Sequence, residues 1–253
     1  MSIEQKRKYV FPYFRSTRSV NGNIRGDWRV RATFGDRAGF VLTGGRSSRM
    51  GIDKAMIEIG GRPLALRVAD RLALCCGSVS LVGDPARYGA LGLPVIPDTF
   101  PGEGPLAGIE AALGATASDR NLIAACDMPE LDSDVMELLF AATAQGPPDA
   151  APEIGTTRSA AFGGGTCAAS SKAHADCAVP QYDDGRIEPL CAVYHRRCRQ
   201  AVRAALEAGV RRVTETLRRL EAGGYAIRYV RVASEAPFAN LNTPDEMRRY
   251  LNG

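Results

Sequence analysis

From residue 38 onward the chain alternates short apolar runs with longer amphipathic stretches. Apolar runs bounded by turn residues read as buried strands, and apolar positions spaced three or four apart read as helices. The pattern predicts strands at 39–42, 78–82, 94–96 and 122–125, and helices at 63–73, 84–91, 105–115 and 134–144. Pro63, after Gly60-Gly61, is expected at the first helical position. Asp134 and Glu137 stand at capping-box spacing. Farther on, "CAVPQYDDGRIEPLCAVY" reads as two strands joined at Asp184-Gly185, a two-residue hairpin signal. Helices are predicted at 196–208 and 211–221, closed by Gly223-Gly224. "AIRYVRV" alternates as an edge-type strand, and Thr243, Pro244 and Glu246 open a last helix. Strands alternating with helices mean βαβ units. The expected fold is α/β, a three-layer α/β/α Rossmann-like arrangement around a mostly parallel twisted sheet.

Two segments break the rhythm. Residues 1–36 have no sustained period, and residues 146–174 are rich in Gly, Ala, Pro, Ser and Thr. The first is expected to be a disordered basic arm and the second a long loop insertion, leaving 37–253 as one domain. Charge sharpens this division. Residues 1–37 hold nine Lys/Arg against three acids, whereas the rest of the chain holds 23 cations and 25 anions. The high isoelectric point therefore belongs to the arm, and a nucleic-acid-binding body is not expected. No apolar run is long enough to span a bilayer, and the N-terminus lacks a signal-type apolar stretch. Seven cysteines without a CxxC pair suggest reduced thiols in a cytoplasmic protein. Cys167, His174 and Cys177 have an unconvincing metal spacing and read as loop residues.

Chemistry is expected where strands end in polar residues, because ligands of open parallel sheets bind outside the carboxyl ends of the strands. Four segments qualify. In "LTGGRSSRMGIDK", Gly44 and Gly45 free the backbone to approach phosphate, and Arg49 and Lys54 supply positive charge. The spacing is neither a Walker A loop nor a GxGxxG fingerprint. In "VIPDTFPGEGPLAGI", Asp98 closes a strand before a glycine-containing loop that leads into a helix N-terminus. In "LIAACDMPEL", Asp127 follows a buried strand, a position suited to holding Mg²⁺ against phosphates, while Asp132 and Asp134 lie nearer the next helix. In "FANLNTPDE", Asn240 and Asn242 alternate and can face one ligand.

Together with "PLCAVYHRRC", these motifs in this order resemble those of the molybdenum cofactor guanylyltransferases, over about 38–145 and 175–252. That family has the nucleotide-diphospho-sugar-transferase type of α/β fold. The resemblance implies transfer of GMP from GTP to the terminal phosphate of molybdopterin, giving molybdopterin guanine dinucleotide and pyrophosphate. It implies backbone contacts to the nucleotide from Leu42, Thr43, Gly44 and Gly45, and triphosphate contacts from Lys54 assisted by Arg49. Asp98 would hold guanosine, Asp127 would bind Mg²⁺ and nucleotide, and Asn240 and Asn242 would face the pterin phosphate. The implied partners are GTP, molybdopterin and transiently contacting molybdopterin-delivery or molybdoenzyme-maturation proteins, with a monomeric enzyme, no membrane and no nucleic acid.

Three features depart from the family pattern. Thr43 stands where alanine is usual. "LVGDPARYG" lacks an asparagine that often contacts the nucleotide, which leaves base recognition to the Gly83-Asp84 region. The 146–174 segment is roughly thirty residues longer than expected. Two other readings stay open. One is a cytidylyltransferase or sugar-phosphate nucleotidylyltransferase on the same scaffold, and the other is a non-catalytic GTP-binding assembly factor.

Overall fold

Four apolar side chains, Ala38 and Phe40 to Leu42 around Gly39, can all be buried only if both faces of their strand are covered. The structure, a computed structural model, shows that arrangement. It describes residues 34–44, 53–144, 174–239 and 241. The expectations for the arm up to residue 33, the 145–173 segment and the helix opening at Thr243 lie outside the described residues.

The chain begins with β1 (Arg37–Leu42), a small antiparallel ribbon of β2 (Glu58–Ile59) and β3 (Arg62–Pro63), α1 (Leu64–Leu72), β4 (Ser78–Val82) and α2 (Pro85–Tyr88). It continues through β5 (Val95–Ile96), α3 (Pro105–Ala115), β6 (Arg120–Ala125), α4 (Ser133–Ala144), β7 (Cys177–Gln181) and β8 (Cys191–His195). It then forms α5 (Arg199–Glu207), α6 (Val213–Ala222) and β9 (Ile227–Arg231). The main sheet has the order β5-β4-β1-β6-β8-β7-β9. Its pairings are parallel except those of β8 with β6 and with β7.

Alternation along β1 assigns the layers. Val41 packs in one core with Val68 and Leu72 of α1 and Leu139 and Phe140 of α4. Phe40 and Leu42 pack in the other with α3, α5 and α6. Because α3 lies directly on the sheet, Gly108 is needed there: a Cβ at that position would come within 2.9 Å of Leu42. Among the described residues no helix is long and apolar enough to cross a membrane.

The helix α3 carries one fully buried charge, Glu110. Its carboxylate accepts from Arg199 Nε at 3.0 Å, Arg203 Nη1 at 3.4 Å and the Thr99 hydroxyl at 2.5 Å. The Arg199 guanidinium lies across Gly114, where a Cβ would sit 2.7 Å from it. Thus a buried carboxylate and a bare helix surface together lock α5 onto α3. Arg199→Ala is expected to cost about 1–3 kcal/mol, the penalty of weakening the partners of a buried charged acceptor. An unchanged urea midpoint would show that packing alone joins the two helices.

Three sequence expectations change. Asp134 and Glu137 form no capping box: α4 starts at Ser133, Asp132 accepts Asp134 N–H at 2.8 Å, and Glu137 instead accepts from Arg37. Pro63 is not inside the helix but is its N-cap, with φ −53° and ψ 140°, and it pairs with Glu58 in the ribbon. The two-residue hairpin at Asp184-Gly185 is replaced by a longer connection. Tyr182 N–H donates to Arg186 O at 2.8 Å, Gly185 takes φ 84°, and direct β7–β8 pairing is limited to Cys177–Tyr194 and Ala178–Val193. The reason is Pro189, which has no N–H to continue the ladder, while Glu188 N–H turns back to Pro180 O at 3.0 Å.

Candidate active site

The strands β4 and β5 leave β1 on one side and β6 leaves it on the other, so the sheet has a topological switch beside the tips of β1 and β6. The two tips are stitched together. Cys126 N–H donates to Leu42 O at 3.1 Å, one residue past the β6 strand. Asp127 follows immediately.

At the β1 tip, Thr43 is buried and bound twice to the neighbouring strand: its N–H and its hydroxyl both donate to Val82 O, at 3.0 and 2.8 Å. The hydroxyl therefore has a structural use that alanine lacks. It also demands a glycine opposite, because a Cβ on Gly83 would lie 2.3 Å from Thr43 Oγ1 and 2.9 Å from the Tyr88 ring. Gly44, next in the chain, is exposed, with open space where a side chain would be.

Lys54 is aimed by a chain of contacts. The Asp53 carboxylate caps a 3-10 turn over Lys54–Met56 by accepting Ala55 N–H at 3.1 Å. Its other oxygen accepts the Tyr88 hydroxyl at 2.9 Å, and that hydroxyl also stands 3.2 Å from Thr43 O. Burial, reinforced by the Asp53 carboxylate, pushes the Tyr88 phenol above its usual range, so it remains a donor. The outcome is Lys54 Nζ 3.9 Å from Asp127 Oδ2, with the two side chains only 18% and 20% exposed. At this separation the charges attract without forming a tight hydrogen bond.

Burial raises the Asp127 pKa and the Lys54 charge works against that rise. The adjacent Cys126 thiol is pushed up to about 12, first by burial and then by Asp127, which removes it as a nucleophile near neutral pH. Asp98, beyond the tip of β5, accepts Phe100 N–H at 2.9 Å; burial, and to a lesser degree Glu110, raises its pKa. Gly102 and Gly104, both at φ 83°, then turn the chain into α3. On the far side of Asp127, buried Leu241 donates its N–H to Asp127 O at 3.0 Å. The arrangement is a cation and a carboxylate, both shielded from water, at the switch of a parallel sheet.

A family model described as the MobA-like NTP transferase domain matches residues 39–222. The chain belongs to the MobA-like NTP transferases. The molybdenum cofactor guanylyltransferase of Mesorhizobium japonicum is 33% identical over 84% of this chain and 93% of its own length. A protein of the same name from Rhodopseudomonas palustris is 35% identical over 82% of this chain and 89% of its own length. In fold, the crystal structure of molybdopterin-guanine dinucleotide biosynthesis protein A from Archaeoglobus fulgidus matches with a TM-score of 0.62 at 24% identity, covering 85% of this chain and 97% of that one. A 2-C-methyl-D-erythritol 4-phosphate cytidylyltransferase from Thermus thermophilus matches with a TM-score of 0.55 at 16% identity, covering 84% and 96%.

Within this MobA-like transferase, Leu42, Thr43, Gly44, Lys54 and Asp127 come together at the β1 and β6 tips, and Asp98 stands beyond β5, on the outer side of β4. Gly45, Arg49, Asn240 and Asn242 lie outside the described residues. In the region assigned to base recognition, Gly83 serves packing against Thr43, and Asp84 caps α2 by accepting Ala86 N–H at 2.9 Å. Two positioning residues, Tyr88 and Asp53, carry no motif signal of this role. Their hydrogen bond spans 35 residues and exists only once β4 and β1 are paired. Among the described residues no group of three His, Cys, Asp or Glu could hold a metal ion, and Cys177 instead lies buried with its Sγ 3.8 Å from Cys198 Sγ. A single shielded carboxylate still fits Mg²⁺, which binds proteins through one or two carboxylates and takes its other oxygens from phosphates and water.

Proposed function

We propose that the chain transfers GMP from GTP to the terminal phosphate of molybdopterin, producing molybdopterin guanine dinucleotide and pyrophosphate. The observation that carries this reading is the meeting of Lys54 and Asp127 at 3.9 Å on the switch edge of a MobA-like fold. An oxygen of the acceptor phosphate forms a bond to the α-phosphorus of GTP, and the bond from that phosphorus to the pyrophosphate oxygen breaks. The attacking phosphate is already an anion, so no side chain need become a covalent nucleophile. The residues position the reactants and offset charge.

Lys54, assisted by Arg49, neutralises the triphosphate and the departing pyrophosphate. The backbone of Leu42, Thr43, Gly44 and Gly45 lies along the nucleotide, and Asp98 holds the guanosine. Asn240 and Asn242 face the acceptor phosphate. Asp127 would hold Mg²⁺, which when bound would supply Lewis-acid stabilisation of developing charge. One domain, 37–253, carries this activity, with 146–174 as an insertion and 1–36 as an arm outside it. Six unbridged cysteines among the described residues suit a reducing compartment such as the cytoplasm.

The test is incubation of the full chain with molybdopterin, Mg²⁺ and either GTP or CTP, followed by mass analysis. The expected products are the guanine dinucleotide and one pyrophosphate per turnover. Preferential use of CTP would instead make the chain a cytidylyltransferase. Tight GTP binding without pyrophosphate release would support a non-catalytic assembly factor.

A further inference from the structure

The loop between β5 and α3 is poorly supported by its own residues. Pro97, Thr99, Pro101 and Gly102 are exposed, and Gly102 and Gly104 both take φ 83° with open space where a side chain would stand. This loop nevertheless carries Asp98. Its anchors come from elsewhere, from α3, α5 and the turn that leads into α6. The Thr99 hydroxyl donates to Glu110 Oε2 at 2.5 Å. The Phe100 ring packs against the core shared by α3, α5 and α6, with the Arg203 guanidinium 5.4 Å over it. Glu103 forms an ion pair with Arg211.

Glu110 is the hub of these contacts, and its two oxygens divide the partners. Oε1 accepts from Arg199 Nε at 3.0 Å and from Arg203 Nη1 at 3.4 Å, which leaves Oε2 to Thr99. The carboxylate is fully buried, and the other residues of α3 carry no charge. A buried ion pair stabilises a fold little more than well-packed apolar residues of similar size, and often less. A leucine at 110 could pack under α5, but it could not accept a hydroxyl from the loop. The charge therefore fixes an orientation. Asp98 lies close enough to sense it: burial raises the Asp98 pKa, the Phe100 N–H opposes the rise, and Glu110 adds to it.

Resting on the guanylyltransferase reading, in which Asp98 holds guanosine, we infer that Glu110 is a positioning residue for the nucleoside half of GTP. It acts through Thr99 to fix the Asp98 loop, while Arg199 and Arg203 orient its carboxylate. Lys54 and Asp127 stand at β1 and β6, across β4 from this loop, so the phosphate half of the nucleotide is held without the hub.

That separation supplies the test. The probes are GTP and inorganic tripolyphosphate, each titrated with Mg²⁺ into the full chain, alongside the kinetics of dinucleotide formation. Thr99→Val keeps the side-chain shape and removes the hydroxyl. It is expected to raise the Kd and KM for GTP about tenfold, the lower end of what a hydrogen bond to a charged group contributes. The kcat and the Kd for tripolyphosphate should not change, because the lost contact serves binding of the nucleoside alone. Thr99→Ser, which restores the hydroxyl, should bind GTP as wild type does. In a Glu110→Leu background, Thr99→Val should cost nothing further. Wild-type GTP affinity in Thr99→Val overturns the inference. So does an equal loss of tripolyphosphate binding, a failure of serine to restore affinity, or a further loss in the double variant. If Asp98→Ala binds GTP as wild type does, the guanosine assignment falls and the inference with it. If Asp98→Ala weakens GTP binding but Thr99→Val does not, only the inference falls. If GTP binding depends on Thr99 but no dinucleotide forms, the positioning role stands and the transferase reading falls.

Discussion

Asp127→Ala is expected to lower GMP transfer at least about a thousandfold while the protein keeps its fold. The magnitude corresponds to losing several kcal/mol of charge stabilisation at the reacting phosphate. The fold survives because Asp127 secures its neighbours through its backbone: its carbonyl accepts Leu241 N–H, and β1 and β6 are joined by the Cys126–Leu42 hydrogen bond. The side chain contributes a partly buried charge that the folded protein holds at a cost, as its raised pKa states. The sign of the stability effect follows. A folded-state pKa above the unfolded value means that ionisation favours unfolding as pH rises through it. Asp127→Asn should therefore melt at a higher temperature than wild type above the carboxylate range. The gain should vanish as pH falls below the unfolded carboxylate pKa, where both proteins are neutral at this position. Loss of activity together with a gain in melting temperature, and loss of Mn²⁺ binding in the presence of GTP, marks a residue kept for chemistry. A melting temperature that falls on substitution would make Asp127 structural.

Lys54→Ala should lower kcat/KM for GTP by about ten- to a hundredfold, the loss of a charge-assisted contact to phosphate. A second readout separates this from a general disturbance. Lys54 is the charge that, with a smaller contribution from a backbone hydrogen bond, works against the burial that raises the Asp127 pKa. Without it the Asp127 carboxyl protonates at higher pH, so the acid limb of the pH–rate profile should move to higher pH. A lower rate with an unmoved acid limb would mean that Lys54 and Asp127 do not share a site. A moved limb with unchanged use of GTP would detach Lys54 from the triphosphate.

Much of the fold was legible in the chain because its strands are buried on both faces and bounded by turn residues. β4 and α3 begin and end where periodicity places them, and Pro105 opens α3 as expected. β1 and β6 each begin two residues earlier, at Arg37 and Arg120, whose guanidiniums reach Glu137 and Asp36 at the strand entrance. A charged residue at a strand start carries no apolar signal, so pattern alone cuts both strands short. The β7–β8 turn was misread because Asp-Gly reports a local turn, whereas the register there is set by Pro189 and by the Glu188–Pro180 bond.

At the site the division is similar. Lys54 and Asp127 were legible as polar residues beside strand tips, since sheet topology brings such tips to one edge. The Thr43–Gly83 fit and the Tyr88–Asp53 bond were not. Each depends on a contact between distant segments, and each residue taken singly has an ordinary turn or surface composition. Thr43 is instructive. It departs from the family pattern by a single hydroxyl and methyl, and that hydroxyl ties β1 to β4 and makes Gly83 obligatory.

The most direct test of the central claim is a crystal structure of the full chain with a non-hydrolysable GTP analogue and Mn²⁺, read by anomalous scattering. The account predicts a manganese peak in contact with an Asp127 carboxylate oxygen and the triphosphate, with Lys54 Nζ on a phosphate oxygen of the same nucleotide. A nucleotide bound elsewhere on the sheet, or a metal held without Asp127, would contradict it.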